Sequence, residues 1–278
     1  MLRRTLLSLP AAAAASASPA RPSGFHLGSV TYQLLQDWDL DTLLTHLEAA
    51  GFSGVELRTT HKHGIEPTIS SDERKRVRER FARSKVKLVG YGTTCRFQSP
   101  DSAERKQQMD VAKQFVDLAH DTGALGVKLQ PMGFAAGATR EQSLAWWGDA
   151  MRALGDYGAP RKVEIWMEVH GKGTSDPPVA AAMLKAANHR NVGACWNSND
   201  TDIVDGSVRA SFDLLKPWIR HVHLHELTGT SYPYAELFGL LKAAGFAGYT
   251  MAECNQSKEA ERFMPYYSAL WKSMASCS

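Results

Sequence analysis

Short apolar runs alternate along the chain with longer stretches whose apolar positions recur every three or four residues, the marks of strands and amphipathic helices. The strand-like runs are Leu27–Tyr32, Gly54–Arg58, Lys87–Gly92, Gly126–Gln130, Val163–His170, Val192–Asn197, Ile219–His225 and Tyr249–Glu253. The helical stretches lie near Leu40–Ala50, Glu73–Arg83, Ser102–Thr122, Arg140–Tyr157, Pro178–Ala187, Val208–Leu215, Tyr234–Ala244 and Lys258–Lys272. Such alternation predicts a parallel sheet with right-handed crossovers. Eight strands and eight helices favour closure over a doubly wound sheet, so the expected fold is α/β, a single-domain (β/α)8 TIM barrel over residues 23–278. The 278 residues suit it, since such a barrel takes about 250. Gly51, Gly123 and Gly245 each stand between a helix and a strand, where a left-handed turn is expected. No interdomain linker breaks the pattern.

In barrels of this kind the chemistry sits at the carboxyl ends of the strands. Side chains two apart on a strand share a face. Glu168 and His170 therefore share one face of the fifth strand, against Met167 and Val169. His221, His223 and His225 share a face of the seventh, against Val222 and Leu224. Asn197 follows Cys195 on the sixth, Glu253 ends the eighth, and Lys128 lies inside the apolar run Val127-Lys128-Leu129. Charged groups in apolar strands are costly unless paired, hydrated or bound to metal. Two glutamates, several histidines and a lysine converging on one barrel mouth point to a functional site. Glu, Asn and His supply oxygen and nitrogen donors, a set that suits Mn²⁺, Mg²⁺, Co²⁺ or Zn²⁺. Ligation by the Cys195 or Cys254 thiolate is the weaker alternative.

Composition changes this picture little: 44% hydrophobic and 22% charged residues are ordinary for a globular chain. The cluster DERKRVRER at 72–80 alternates acids with bases and reads as a solvated helix face. The amino terminus adds more. Arg3 and Arg4 precede a short apolar run and then small residues, with Ala15-Ser16-Ala17 fitting a cleavage site. Residues 1–22 are expected to be an export signal, twin-arginine-like or Sec, followed by a flexible tail, which would place the mature protein in the periplasm. Without a working signal it would be cytoplasmic. Losing residues 1–20 removes Arg3 and Arg4 and leaves a formal charge of +1. A nearly neutral body argues against nucleic acid as a partner. Beyond residue 20 no apolar run reaches the length of a membrane span. Cys95, Cys195, Cys254 and Cys277 show no CxxC spacing; the first three read as small buried residues before they read as disulfides.

Taken together, the words GVELRTTHKHG (54–64), WMEVHG (166–171), CWNSND (195–200), HVHLHE (221–226) and MAEC (251–254) resemble the sugar phosphate isomerase/epimerase family with the xylose-isomerase-like TIM barrel. The resemblance runs from about Gly28 to Trp271. In the family's ketose 3-epimerases one divalent ion is held by Glu, Asp, His and Glu on strands five to eight. The matching positions are Glu168, Asn197, His223 and Glu253. Asn197 departs from the pattern: an amide oxygen can coordinate but brings no charge, so metal affinity should fall or metal preference shift. Where the family often has a histidine three residues further on, this chain has Asp200.

The resemblance also implies roles. Glu168 and Glu253 are the expected acid/base pair, acting from opposite faces of the substrate. His63, Lys128, His170, Asp200 and His225 are expected to touch substrate, with pairing to a glutamate such as Glu56 as the alternative for Lys128. A divalent cation beside a carbonyl makes the neighbouring C–H acidic, and a carboxylate must then take the proton while an acid returns one. Return to the opposite face gives epimerisation, and return to the adjacent carbon gives aldose–ketose isomerisation. A leaving group β to that carbon would be eliminated, as in relatives that act on 3-oxo-glycosides. The expected partner is a small carbohydrate, and a homo-oligomer stays open. Two other classes compete: a multi-zinc phosphodiesterase or abasic-site endonuclease, disfavoured by the neutral body and Asn197, and a non-catalytic carbohydrate-binding barrel with a weakened metal site.

Overall fold

Helices begin where the sequence supplies caps. In the computed structural model, which describes residues 24–229 and 231–277, Ser70 and Glu73 form a reciprocal box at the start of α2 (Ser71–Ala82). Thr139 and Gln142 form another at α4 (Arg140–Gly158). Asp39 and Asp101 cap α1 (Leu40–Ala49) and α3 (Ser102–Thr122). Each cap satisfies a first-turn N–H that would otherwise lack a partner. Gly123 ends α3 with φ of 84°, and Gly51 and Gly245 also hold positive φ. These are the turns expected of them. On α2 only Val77 and Phe81 are buried. Arg74 reaches Asp121 at 2.8 Å and Arg80 reaches Asp41 at 2.6 Å, so the charged cluster is a solvated face tied to neighbouring helices.

The remaining elements complete the alternation. The strands are β1 (His26–Val30), β2 (Gly54–Arg58), β3 (Lys87–Gly92), β4 (Gly126–Leu129), β5 (Glu164–Glu168), β6 (Val192–Trp196), β7 (Ile219–Leu224) and β8 (Tyr249–Ala252). The other helices are α5 (Pro177–Ala187), α6 (Arg209–Leu215), α7 (Tyr234–Ala243) and α8 (Ala260–Cys277). All eight strand pairs are parallel, and β1 closes on β8 with Gly28 opposite Met251. The result is the expected (β/α)8 barrel. The export segment expected at 1–22 lies outside the described residues. No helix among the described residues is long and apolar enough to cross a membrane.

Strand parity divides the core in two. Val55, Val127, Met167, Trp196 and Val222 face outward into the large apolar layer under the helices. Val30, Val89, Trp166, Cys195 and Met251 fill the barrel interior. The wide Trp166 ring needs room, and Gly90 and Gly126 supply it, since a Cβ at either would strike the indole. Polar Glu56, Lys128, Glu168, His221 and His223 share that interior and are all buried.

Several strands stop short of their expected ends. His170 falls in the loop after β5, Asn197 just past β6, His225 just past β7 and Glu253 just past β8. These residues stand at the ends of the ladder, Glu253 still donating its backbone N–H to the Leu224 carbonyl at 2.8 Å, where the barrel mouth opens. Cys95, Cys195, Cys254 and Cys277 are free thiols, the first three buried, as their apolar surroundings predict.

Candidate metal centre and active site

Glu168 is the last residue of β5 and lies almost wholly inside the barrel. His223, on β7, is fully enclosed. Glu253 follows β8 and is more open, with 16% of its side chain exposed. Alternation along each parallel strand points all three inward, and the staggered strand ends bring them together. His223 Nδ1 stands 3.1 Å from Glu253 Oε2 and 3.6 Å from Glu168 Oε1. One donor atom from each of the three lies within 4.8 Å of the others, close enough to grip one cation. This is a candidate buried His/Glu metal site.

Asn197 fits the same group. Its Oδ1 is buried and has no hydrogen-bond partner, a costly state for an amide oxygen. The side chain lines the same cavity as Glu168 and Glu253. Ser198, next to it, holds φ of 48° and donates its hydroxyl to the His223 carbonyl at 2.8 Å. Strain of that kind is kept where the surrounding structure fixes it, and here it ties the end of β6 to β7. A bare amide oxygen in the wall that also carries Glu168 and Glu253 is a donor of the kind a hard or borderline divalent cation takes.

Electrostatics organise the floor below. Lys128 Nζ lies 2.6 Å from Glu168 Oε2, both side chains buried. Burial works against the ammonium, but the Glu168, Glu56 and Glu253 carboxylates override it and hold the lysine above its ordinary range. Burial likewise opposes the Glu168 carboxylate, and the Lys128 charge with His223 pulls it below the usual carboxylate range. Burial lowers His221; it also works against His223, but Cys195 and then the Glu253 and Glu56 carboxylates outweigh it and raise that imidazole. Sequence reasoning gave Glu56 only as an alternative partner for Lys128. In the structure it accepts from His221 Nε2 at 2.7 Å and from His223 Nε2 at 3.1 Å. An acidic residue at an inward position of an apolar strand was the available signal.

The expected substrate-contact residues divide. His170 and His225 line the cavity, which encloses about 650 Å³. The His170 ring donates from Nδ1 to the Pro131 carbonyl at 3.0 Å, which leaves Nε2 as its acceptor. His225 Nε2 is 3.8 Å from Glu253 Oε2, and burial lowers this imidazole's affinity for a proton. Lys128, His63 and Asp200 are placed otherwise. Lys128 is sealed against Glu168, not Glu56, and lies beneath the cavity. His63 spends both ring nitrogens on backbone, on the Arg58 carbonyl at 2.9 Å and the Ile65 N–H at 3.0 Å, so it braces the loop after β2. Asp200 is exposed in a short 3-10 turn, and its neighbour Asn199 faces the cavity instead. Arg58, Tyr32 and Gln130 also line it. Nothing in one sequence marks these three, because each sits at a strand or loop end beside ordinary neighbours.

The sequence model of one family, described as the xylose isomerase-like TIM barrel, matches residues 44–267. No curated protein sequence matches the chain. Among solved structures, D-psicose 3-epimerase with D-tagatose from Clostridium cellulolyticum H10 superposes with a TM-score of 0.77, at 12% identity over 90% of this chain and 99% of that one. A 3-keto-D-glucoside 4-epimerase from E. coli gives 0.74, at 12% identity over 89% and 98%. The IOLI protein with a binding zinc atom gives 0.73, at 18% identity over 90% and 96%. At these identities the likeness is one of fold.

Proposed function

The chain belongs to the xylose isomerase-like TIM barrel family, and from that premise we propose that it is a divalent-metal-dependent sugar isomerase or epimerase working by proton transfer beside a carbonyl. The observation that carries the reading is the convergence of Glu168, His223 and Glu253 donor atoms within 4.8 Å, with the unpartnered Asn197 Oδ1 in the same cavity. Glu168, Asn197, His223 and Glu253 would hold the ion, in keeping with the zinc named for the IOLI protein. A bound divalent ion supplies Lewis-acid charge that lowers the cost of negative charge developing on a substrate oxygen.

The chain's own residues do the rest. Glu168 and Glu253 are the acid/base pair, and they are not equivalent. Both line the cavity, but Lys128 occupies Glu168 Oε2 and Glu253 is the more exposed of the two. Glu253 is the carboxylate placed to take a proton from substrate. His170 and His225 border the space where sugar hydroxyls would lie, and they orient them by hydrogen bonds. The same asymmetry favours a second reading. Elimination from a 3-oxo-glycoside does not need a second carboxylate to return a proton to carbon, and a site with one carboxylate free of the lysine suits it.

The test is metal content and proton exchange. Full-length protein prepared with mixed divalent ions should retain about one ion per chain. Glu253→Ala and His223→Ala should each lose it. Loaded protein should wash deuterium from D2O into a ketose or a 3-oxo-glycoside. No retained ion in the parent chain, or retention indifferent to both substitutions, would sink the site and favour a non-catalytic carbohydrate-binding barrel.

A further inference from the structure

Glu56 is not one of the cavity-facing donors, yet it is a fully buried carboxylate inside the barrel. Its Oε2 accepts from two imidazoles, His221 Nε2 at 2.7 Å and His223 Nε2 at 3.1 Å. An ionised carboxylate only accepts, so both of those ring nitrogens carry protons. For His223 this leaves Nδ1 facing the other way, 3.1 Å from Glu253 Oε2 and 3.6 Å from Glu168 Oε1. By the same rule Nδ1, 3.1 Å from the Glu253 carboxylate, carries a proton here; a cation taking that proton's place would leave the ring protonated at Nε2, with the Nδ1 lone pair on the side where the glutamates converge.

The surroundings hold Glu56 to this task. His221 is stacked on Trp166, with ring centroids 4.5 Å apart and planes 11° from parallel. The Glu56 Oε1 atom lies against Gly92, where a Cβ would approach to 2.5 Å. That oxygen has no hydrogen-bond partner. Burying a carboxylate with one bare oxygen is unfavourable, and a well-packed apolar residue would serve the core at least as well. What Glu56 adds is orientation and negative charge at the far side of the His223 ring.

We propose that Glu56 is a positioning residue for His223 as a metal ligand: it holds the ring in its Nε2–H form and directs the Nδ1 lone pair toward Glu168 and Glu253. The inference rests on the metal-site reading above. An anion behind a ligating imidazole makes the ring a better donor, and losing such a partner typically weakens metal binding by about 10–100-fold.

The experiment is a zinc titration of the metal-free full chain, by competition with a chromophoric chelator, in a double-mutant cycle. Glu56→Gln keeps the shape and removes the charge, and it should weaken zinc binding by about 10–100-fold. His223→Gln, unlike His223→Ala, keeps an oxygen donor and weak zinc binding that the titration still reads, and in that background the same change should have little further effect, because the imidazole through which Glu56 acts is gone. An equal loss in both backgrounds, or zinc affinity unchanged by Glu56→Gln, overturns the proposal and leaves the metal site standing. A parent chain that takes up no zinc overturns the site reading and this role with it. Should Glu56→Gln fail to fold, the imidazole ¹⁵N–¹H spectrum of the zinc-loaded parent chain decides. The proton on His223 should be on Nε2, and a proton on Nδ1 overturns the proposal.

Discussion

Lys128 shows how much one side chain can depend on another. Its ammonium and the Glu168 carboxylate lie 2.6 Å apart, and neither side chain has appreciable contact with water. Removing one member of such a pair leaves the other charge buried and unmatched, which typically costs about 3–5 kcal/mol. Lys128→Met should therefore lower stability to urea by roughly 3–5 kcal/mol. A loss below about 1 kcal/mol would mean that water reaches Glu168. Asn197 makes the complementary case. At the proposed metal site it would supply oxygen without charge, while Lys128 already offsets the Glu168 carboxylate. Asn197→Asp should raise affinity for a divalent ion roughly tenfold, since ligand charge is a main determinant of affinity at oxygen-donor sites. Unchanged affinity in a chelator competition would remove position 197 from the ligand set.

At the scale of elements, the loops after β6 and β7 are joined by a buried network. Trp196 Nε1 donates to the Tyr232 hydroxyl at 3.0 Å, and that hydroxyl donates to Asp202 Oδ2 at 2.9 Å. The Asn199 N–H donates to the same oxygen at 2.8 Å, while Asp202 Oδ1 is buried without a partner. Burial lifts the Asp202 carboxyl from its ordinary 3.8 to about 7, although the hydrogen bonds from Tyr232 and Asn199 pull it down. Between those two values the unfolded chain has lost a proton that the folded chain keeps. The contribution to stability is thus full below about pH 3.8 and is lost as the pH rises through about 7. Asp202→Asn, which keeps the shape and cannot ionise, should reduce the fall in melting temperature between pH 5 and pH 8 by several degrees, about 2–4 °C per kcal/mol for a chain of this size. An unaltered pH profile would assign the slope to another group.

At the scale of the whole molecule, closure of eight parallel strands puts residues from opposite ends of the chain in contact. Glu56 and His221 are 165 positions apart and 2.7 Å apart in space. Every donor of the candidate centre then lies at one end of the barrel, as the fold requires of its chemistry. The amino-terminal segment stands apart from this frame. We propose that it directs export, on the strength of Arg3, Arg4 and the small residues before Arg21. Terminal sequencing of the protein recovered from its native host should begin near residue 18, after Ala15-Ser16-Ala17. An intact Met1 would sink the export reading.

The alternation of apolar runs with helical stretches was enough to determine eight strands and eight helices, because period and capping act within a few residues of one another, and the count of eight favoured closure over an open sheet. Parity along β5 and β7 likewise separated inward Glu168 and His223 from outward Met167 and Val222. What the sequence could not decide was pairing. Whether Lys128 meets Glu168 or Glu56 depends on strand stagger and side-chain reach across the barrel. Whether His63 faces a substrate or its own loop depends on where the chain bends after β2. Asn199 rather than Asp200 faces the cavity because a short helical turn intervenes just after the site. The role of Glu56 behind His223 became legible only when closure brought the two together. Local patterns carry no term for contacts between residues distant in the chain, and in this molecule those contacts determine what each polar side chain can do.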